Sequence, residues 1–343
     1  ICLKNDGTLW GIGYNHVGQL GLGWSGTSHP TTGLTYVDTF TKLPIDDVIE
    51  VVTMSGSTIV LKNDGTVWST GYNQLGQLGQ GSYDTFRYFK KVPDTVSDPP
   101  GPVDFTNANI VSLRCSANGA FVINNEGKAY STGSSLYGQL GLENYNAVST
   151  DYFFDASNNR WQCAVNHHLH PGNTVKFSAV GTGATDSGNA VFAINTTYYV
   201  ADVPGPTYLK LSATFGGAVL NAYVDSVGTW TLTPLYKPVD HISNKSTSFR
   251  PAFVHTDTSI TVVDIFPGFE FTMALMSNGH LVGVGRNNVG QLGNGTTHTH
   301  GNTASVVYII DTNLADYKKI VCGTFHTLLL KKDGTVWGTG SNE

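Results

Sequence analysis

Apolar residues in this chain come in short runs broken by glycine-rich turns. Near the C-terminus, Lys319-Ile320-Val321-Cys322 is one run and Gly323-Thr324 a small turn. His326-Thr327-Leu328-Leu329-Leu330-Lys331 is a second run, and Lys332-Asp333-Gly334-Thr335 follows it. Asp-Gly supplies the positive φ that a tight hairpin turn requires. Val336-Trp337-Gly338-Thr339-Gly340 is a third run, with glycines where neighbouring backbones approach closely. The runs lack clean alternation, which suits strands covered on both faces. The pattern therefore predicts antiparallel sheets stacked against other sheets.

The same pattern recurs. Asp64-Gly65-Thr66-Val67-Trp68-Ser69-Thr70-Gly71-Tyr72-Asn73-Gln74-Leu75-Gly76-Gln77-Leu78-Gly79 has close relatives beginning at Asp6, Glu126, Asn278 and Asp333. The turn glycines Gly7, Gly65, Gly127, Gly279 and Gly334 lie 58, 62, 152 and 55 residues apart. The long interval is about three ordinary ones, so two decayed repeats are expected inside it. Val175-Lys176-Phe177-Ser178-Ala179 and Leu209-Lys210-Leu211-Ser212-Ala213 match each other there, each followed by an apolar run (190–194 and 218–220) and then an aromatic, Tyr199 or Trp230. Trp10, Trp68, Tyr130 and Trp337 hold that aromatic place in the clear repeats. The count is seven repeats in one domain, 1–343, divided near 1–44, 45–102, 103–171, 172–205, 206–255, 256–312 and 313–343.

Four copies carry a Gly-Gln-Leu-Gly link: Gly18-Gln19-Leu20-Gly21, Gly76-Gln77-Leu78-Gly79, Gly138-Gln139-Leu140-Gly141 and Gly290-Gln291-Leu292-Gly293. Glycine permits a left-handed reversal, Leu plugs a seam, and Gln bonds loop backbone groups that burial would otherwise strand. This is a structural role for the sixteen residues. The full pattern of apolar strand, Gly-x-x-His-Thr, apolar strand, Asp-Gly-x-x-Trp, Gly-x-Asn-x-x-Gly-Gln-Leu-Gly resembles the regulator of chromosome condensation (RCC1) repeats, in the style of members from bacteria and their phages. The resemblance implies an all-β, seven-bladed β-propeller, with degenerate blades in the middle and partial repeats at both ends, since the first repeat lacks its opening strand and the last stops before its Gly-Gln-Leu-Gly. The motif's histidine is present as His326, with Ser57, Ala120 and Phe271 in or near its place elsewhere.

Composition adds little to the fold and more to function. Charged residues make up 13% of the chain, Gly numbers 40, and the net charge is −6 without a basic run. Nucleic acid is therefore not an expected partner. No run has the length of a membrane helix, so no membrane insertion is expected. Four scattered cysteines do not make a disulfide framework, and Cys115 and Cys322 share one repeat position as small buried residues.

Function is sought where the chain departs from its repeat. Four stretches do so: 23–44, 81–102, 143–171 and 236–261. Their aromatic and arginine side chains are the candidate binding residues: Trp24, Tyr83, Phe86, Arg87, Tyr152, Arg160, Trp161, Phe249 and Arg250. The competing reading is that each loop buries its aromatics as a satellite core. His168 and His170, or His298 and His300, share a strand face, but two ligands without a third do not make a metal site. No metal or other cofactor is expected. No nucleophile elbow, phosphate loop or zinc-protease helix is present, and Asp6, Asp64 and Asp333 are turn residues, so no catalytic residue is assigned.

The palette of Gly, Thr, Asn, Ser and Tyr suits adaptable recognition. The expected function is a non-enzymatic recognition propeller, surface-exposed or virion-associated, such as a phage tail-fibre receptor-binding module. Its partners would be a protein or glycan receptor, or neighbouring subunits, in an extracellular or virion setting. The alternative, implied by the resemblance, is an intracellular guanine nucleotide exchange factor or scaffold for a small GTPase or chromatin.

Overall fold

The structure is a computed structural model. It describes residues 1–25, 35–98, 101–104, 109–142, 150–155, 157–158, 160–163, 169, 174–180, 196–205, 208–213, 218–220, 230–234, 245–255, 257–295, 297, 308–311 and 317–342. Those residues form strands β1 to β26 and no helix. The fold is all-β, and five of its described sheets are propeller blades.

The second blade shows the unit in full. β4 (Val48–Met54), β5 (Ser57–Lys62), β6 (Val67–Gly71) and β7 (Phe86–Lys91) pair antiparallel in chain order. Asp64-Gly65 makes the β5–β6 turn, with Gly65 at φ 80°. Asp64 Oδ1 accepts from the Thr66 N–H at 2.9 Å and its hydroxyl at 2.6 Å, and Thr66 Oγ1 accepts from Trp68 Nε1 at 3.0 Å. Asp6 and Asp333 repeat this arrangement. The fourth blade repeats the order with β20 (Val262–Pro267), β21 (Phe271–Met276), β22 (Leu281–Gly285) and β23 (Tyr308–Asp311).

The two end sheets have three strands each. β1 (Cys2–Leu3), β2 (Leu9–Tyr14) and β3 (Tyr36–Lys42) correspond to the second, third and fourth strands of a blade. β24 (Tyr317–Cys322), β25 (His326–Lys331) and β26 (Val336–Gly340) correspond to the first three. The first strands succeed one another: β4 lies against β10 (Ile110–Cys115), β10 against β20, and β20 against β24. Arg114 on β10 ties three of them, reaching Glu50 on β4 at 3.2 Å and Asp264 on β20 at 2.9 Å. A small hairpin, β8 (Thr95–Asp98) and β9 (Gly101–Asp104), lies in the chain between blades two and three.

The middle of the chain differs from the repeat count. The third blade is β10, β11 (Gly119–Asn124), β12 (Ala129–Ser134) and β19 (Lys245–Ala252). Between β12 and β19 the chain builds a closed six-stranded barrel in the order β13-β14-β17-β16-β15-β18. These strands are β13 (Thr150–Asp155), β14 (Arg160–Cys163), β15 (Thr174–Val180), β16 (Thr197–Gly205), β17 (Tyr208–Ser212) and β18 (Trp230–Pro234). The stretches read as fourth and fifth repeats are β15 and β17 of this barrel. The described residues thus hold five blade sheets and one inserted barrel, and the long glycine interval is one blade interval plus the insertion. Tyr152, Trp161, Phe177, Val200, Leu209 and Leu232 fill the barrel.

The blade cores lie across the seams, not within single sheets. Leu9, Leu20 and Leu43 of the first sheet pack with Val48, Val60 and Phe89 of the second. Each Leu of the Gly-Gln-Leu-Gly links is buried: Leu20, Leu78, Leu140 and Leu292. Burying such a side chain contributes about 1.5–3 kcal/mol. The following glycine is obligatory for space as well as for φ. A Cβ on Gly21 (φ 68°) would sit 2.5 Å from the Phe89 ring, and one on Gly79 (φ 67°) 2.6 Å from the Phe249 ring. Phe40 holds the same place in the first sheet, where no described sheet stands before it, and is 54% exposed.

Candidate protein-interaction face

Antiparallel blades divide their connections between two ends. The Asp-Gly turns gather at one end. The first-to-second-strand turns and the Gly-Gln-Leu-Gly loops gather at the other. That second end is where the chain places a charged and aromatic cluster.

The loops there are held by their own side chains. Asn73 is fully buried, and its Oδ1 accepts from the Leu78 N–H at 2.9 Å while its Nδ2 donates to the Ser82 carbonyl at 2.7 Å. Asn15 does the same in the first blade, and in the fourth Asn287 accepts from the Leu292 N–H while its Nδ2 donates to the Asn294 side-chain oxygen. The glutamine carbonyl accepts from the backbone two residues earlier, as Gln139 does from Tyr137 at 2.8 Å and Gln291 from Val289 at 3.1 Å. The loops are therefore fixed platforms, and the two residues after Asn15, Asn73 and Asn287 lie toward the surface.

Arg286 stands at the centre of the cluster. Its Nη1 donates to Glu270 Oε2 at 2.6 Å and its Nε to Asn288 Oδ1 at 2.9 Å. Its guanidinium carbon lies 5.5 Å from the Tyr137 ring centre and 5.4 Å from that of Phe325. Phe325 meets Phe269 edge to face at 6.4 Å, and each ring is 37% exposed. Leu136 and Val289 are exposed on the neighbouring loops. An arginine fixed by a carboxylate between aromatic rings is pre-organised for a partner, because little side-chain freedom is left to lose. Beside it, the turns of blades two to five surround a hollow of about 400 Å³ lined by Met54, Cys115, Pro267, Phe269 and Cys322.

Two cysteine thiols line this hollow. Burial pushes the Cys115 thiol up, and pushes that of Cys322 to about 12, so both stay protonated near neutral pH. Among the described residues no group of three or more His, Cys, Asp or Glu could hold a metal ion. His167, His168, His170, His298 and His300 lie outside the described residues. No described helix is long and apolar enough to cross a membrane.

The loop residues chosen from sequence divide sharply. Trp24, Tyr152, Trp161, Phe249 and Arg250 are buried. They are core side chains and cannot meet a partner, as the satellite-core reading expects. Arg160 stacks on Tyr208 at 3.8 Å on the barrel. Tyr83, Phe86 and Arg87 remain at the surface, together with Tyr88. Lys90 lies over Phe86 at 4.4 Å and Lys245 over Tyr83 at 5.4 Å. Tyr14 and Tyr36, 68% and 41% exposed, meet at 6.4 Å on the first sheet. Sequence reasoning missed Tyr137, Phe269, Glu270, Arg286 and Phe325. The signal was present: they occupy the free positions inside the repeat motif, with Arg286 where Tyr14 and Tyr72 stand.

Comparison with known proteins finds RCC1-like relatives. Residues 317–343 match the family described as Regulator of chromosome condensation (RCC1) repeat. The chain is 30% identical over 141 residues to the protein RCC2 homolog of Danio rerio, covering 41% of this chain and 25% of that protein. It is 31% identical over 158 residues to the mouse RCC1-like G exchanging factor-like protein, covering 43% of this chain and 32% of that one. These matches thus span a quarter to a third of the length of the curated relatives. Prp20p of Saccharomyces cerevisiae, described by its binding to Gsp1p and histones, superposes over 99% of this chain and 68% of its own at 15% identity and a TM-score of 0.41. The sequence matches support RCC1-like repeats, and the propeller assignment rests on the sheets themselves.

Proposed function

We propose that this chain is a protein-recognition propeller of the RCC1-like regulatory kind, and that its partner is a small GTPase engaged at the face that carries Arg286. One observation carries the reading: Arg286, held by Glu270 and flanked by Tyr137 and Phe325, beside the exposed Phe269. Arginine and aromatic anchors on a fixed support dominate protein interfaces. The partner's class draws on the named relatives, one of which is an RCC1-like exchange-factor protein. The surface-exposed or virion reading draws on composition, aromatic loops and the bacterial and phage style of the repeats, and no named relative supports it.

The test is nucleotide release from a Ran-type small GTPase loaded with a fluorescent guanine nucleotide, with and without the full chain. Acceleration, abolished by Arg286→Ala, supports an exchange factor. Saturable binding without acceleration, with the same sensitivity, supports a scaffold. Neither acceleration nor binding overturns the choice of partner.

A further inference from the structure

The opposite end of the blades, where the Asp-Gly turns gather, holds a hollow that the repeat does not explain. In the first sheet Leu9 and Leu43 fill the foot of the blade, and the Leu43 N–H donates to the Leu9 carbonyl at 2.8 Å. In the second, Val67 and Val92 fill the same place with the same bond. The third blade has Ala129 and Ala252 at these two positions, paired directly across β12 and β19. Two large side chains have become two methyl groups.

Phe253, Val262 and Ile260 pack around the two alanines without closing that space. A pocket of about 350 Å³ lies against both alanines, walled by Tyr130, Phe253, Ile260 and Val262. Phe253 accounts for part of its shape. Phe89 and Phe249 reach from their own blades onto the glycine of the preceding blade, whereas the Phe253 ring covers Gly141 of its own blade. To do so Phe253 takes φ 54°, a conformation an aromatic residue rarely adopts. The rim is polar but balanced: Lys128 pairs with Glu126 at 2.7 Å. His255 also lines the pocket, and its Nδ1 accepts from the Asp257 N–H at 2.9 Å.

We propose that this pocket is a binding site for a small, uncharged, ring-sized apolar molecule. Its volume lies at the lower end of the range for small-ligand sites, about 300–1,000 Å³, and its walls are apolar with a few polar groups at one edge, as such sites are. An unfilled apolar hollow lowers stability relative to a packed blade, and a ligand that fills it recovers the lost contacts. The preference for an uncharged molecule follows from the rim. The Glu126–Lys128 pair offers no net charge, and burial holds the His255 imidazole below its ordinary pKa, hence neutral near pH 7. The site lies at the other end of the blades from the protein-interaction face, so it stands or falls independently of that reading.

The test titrates the full chain with indole, an uncharged ring of suitable size, followed by calorimetry and by thermal melting. Benzoate and benzylammonium serve as charged controls of similar bulk. The expected result is saturable one-to-one indole binding with a dissociation constant of about millimolar or tighter, as ligand-efficiency limits allow. Both charged controls should bind at least about tenfold more weakly. Ala129→Leu restores the residue of the first sheet and should weaken indole binding at least about tenfold. Ala252→Val restores the residue of the second sheet by a smaller step, and supplies the same readout if Ala129→Leu does not fold. Indole binding that is undetectable, equal to that of the charged rings, or unchanged in a folded filled variant would overturn the proposal.

Discussion

Asn73 is the single side chain on which the loop between the third and fourth strands of a blade depends most plainly. It is fully buried, and it satisfies both the Leu78 N–H and the Ser82 carbonyl. Asn73→Ala removes both bonds. Leu78 is itself fully buried, so its N–H has no route to water, and an orphaned buried donor costs about 1–3 kcal/mol. The Ser82 carbonyl is nearer the surface and recovers a water, so its loss costs only about 1 kcal/mol. The sum is about 2–4 kcal/mol. Equilibrium urea unfolding reads it as a lower midpoint at unchanged m, since the surface exposed on unfolding is the same. Gln74→Ala is the control. Gln74 is exposed, makes only a long 3.4 Å bond to the Tyr83 carbonyl, and should cost under about 0.5 kcal/mol. If Asn73→Ala and Gln74→Ala unfold at the same urea concentration, the buried asparagine does not hold the link and the reasoning fails.

Further predictions concern titration and thiols. Hydrogen bonds from Thr8, Thr66 and Thr335 hold the Asp6, Asp64 and Asp333 carboxyls below their ordinary value of 3.8. A carboxyl depressed by folding adds stability that is present above the unfolded value and is lost as pH falls through the folded one. The urea midpoint should therefore decline below about pH 4, and Asp64→Asn should flatten that decline; an equal slope in the variant contradicts the assignment. Among the four free cysteines Cys2 is exposed, Cys163 is buried, and burial raises the Cys115 and Cys322 thiols. A disulfide reagent such as DTNB at neutral pH should modify Cys2 first, with the other three appearing on unfolding; rapid modification of Cys322 would contradict its burial at the hollow.

The repeat was legible because its residues are constrained in more than one way at once. Asp64-Gly65 is readable as a turn because only glycine suits its φ, and Gly79 because both its φ and the Phe249 ring exclude a side chain. The barrel was not legible. Val175-Lys176-Phe177 and Leu209-Lys210-Leu211 alternate as any strand with one buried face does, and in the barrel Val175, Phe177, Leu209 and Leu211 are the buried set. The pattern reports burial and does not say which sheet provides it. The loop aromatics were ambiguous for a related reason: Trp161 and Phe249 have the composition of binding residues, but they are buried side chains of the barrel and of a blade seam. The interaction face was hidden by being regular. Phe269, Arg286 and Phe325 sit at ordinary repeat positions, and only the fold brings them together, from three different turns and loops.

Affinity across two sets of substitutions tests the proposed binding of a small GTPase at this face. Phe325→Ala and Arg286→Ala remove half-exposed groups from fixed supports, so both variants should fold; an ion pair of that exposure contributes about 1 kcal/mol or less to stability. Lys128→Ala changes the opposite end of the blades. Binding of the full chain to a Ran-type GTPase should weaken at least about tenfold in each of the first two variants, a loss of about 1.4 kcal/mol or more, and stay unchanged in the third. Equal affinity in all three variants and the parent chain would contradict it.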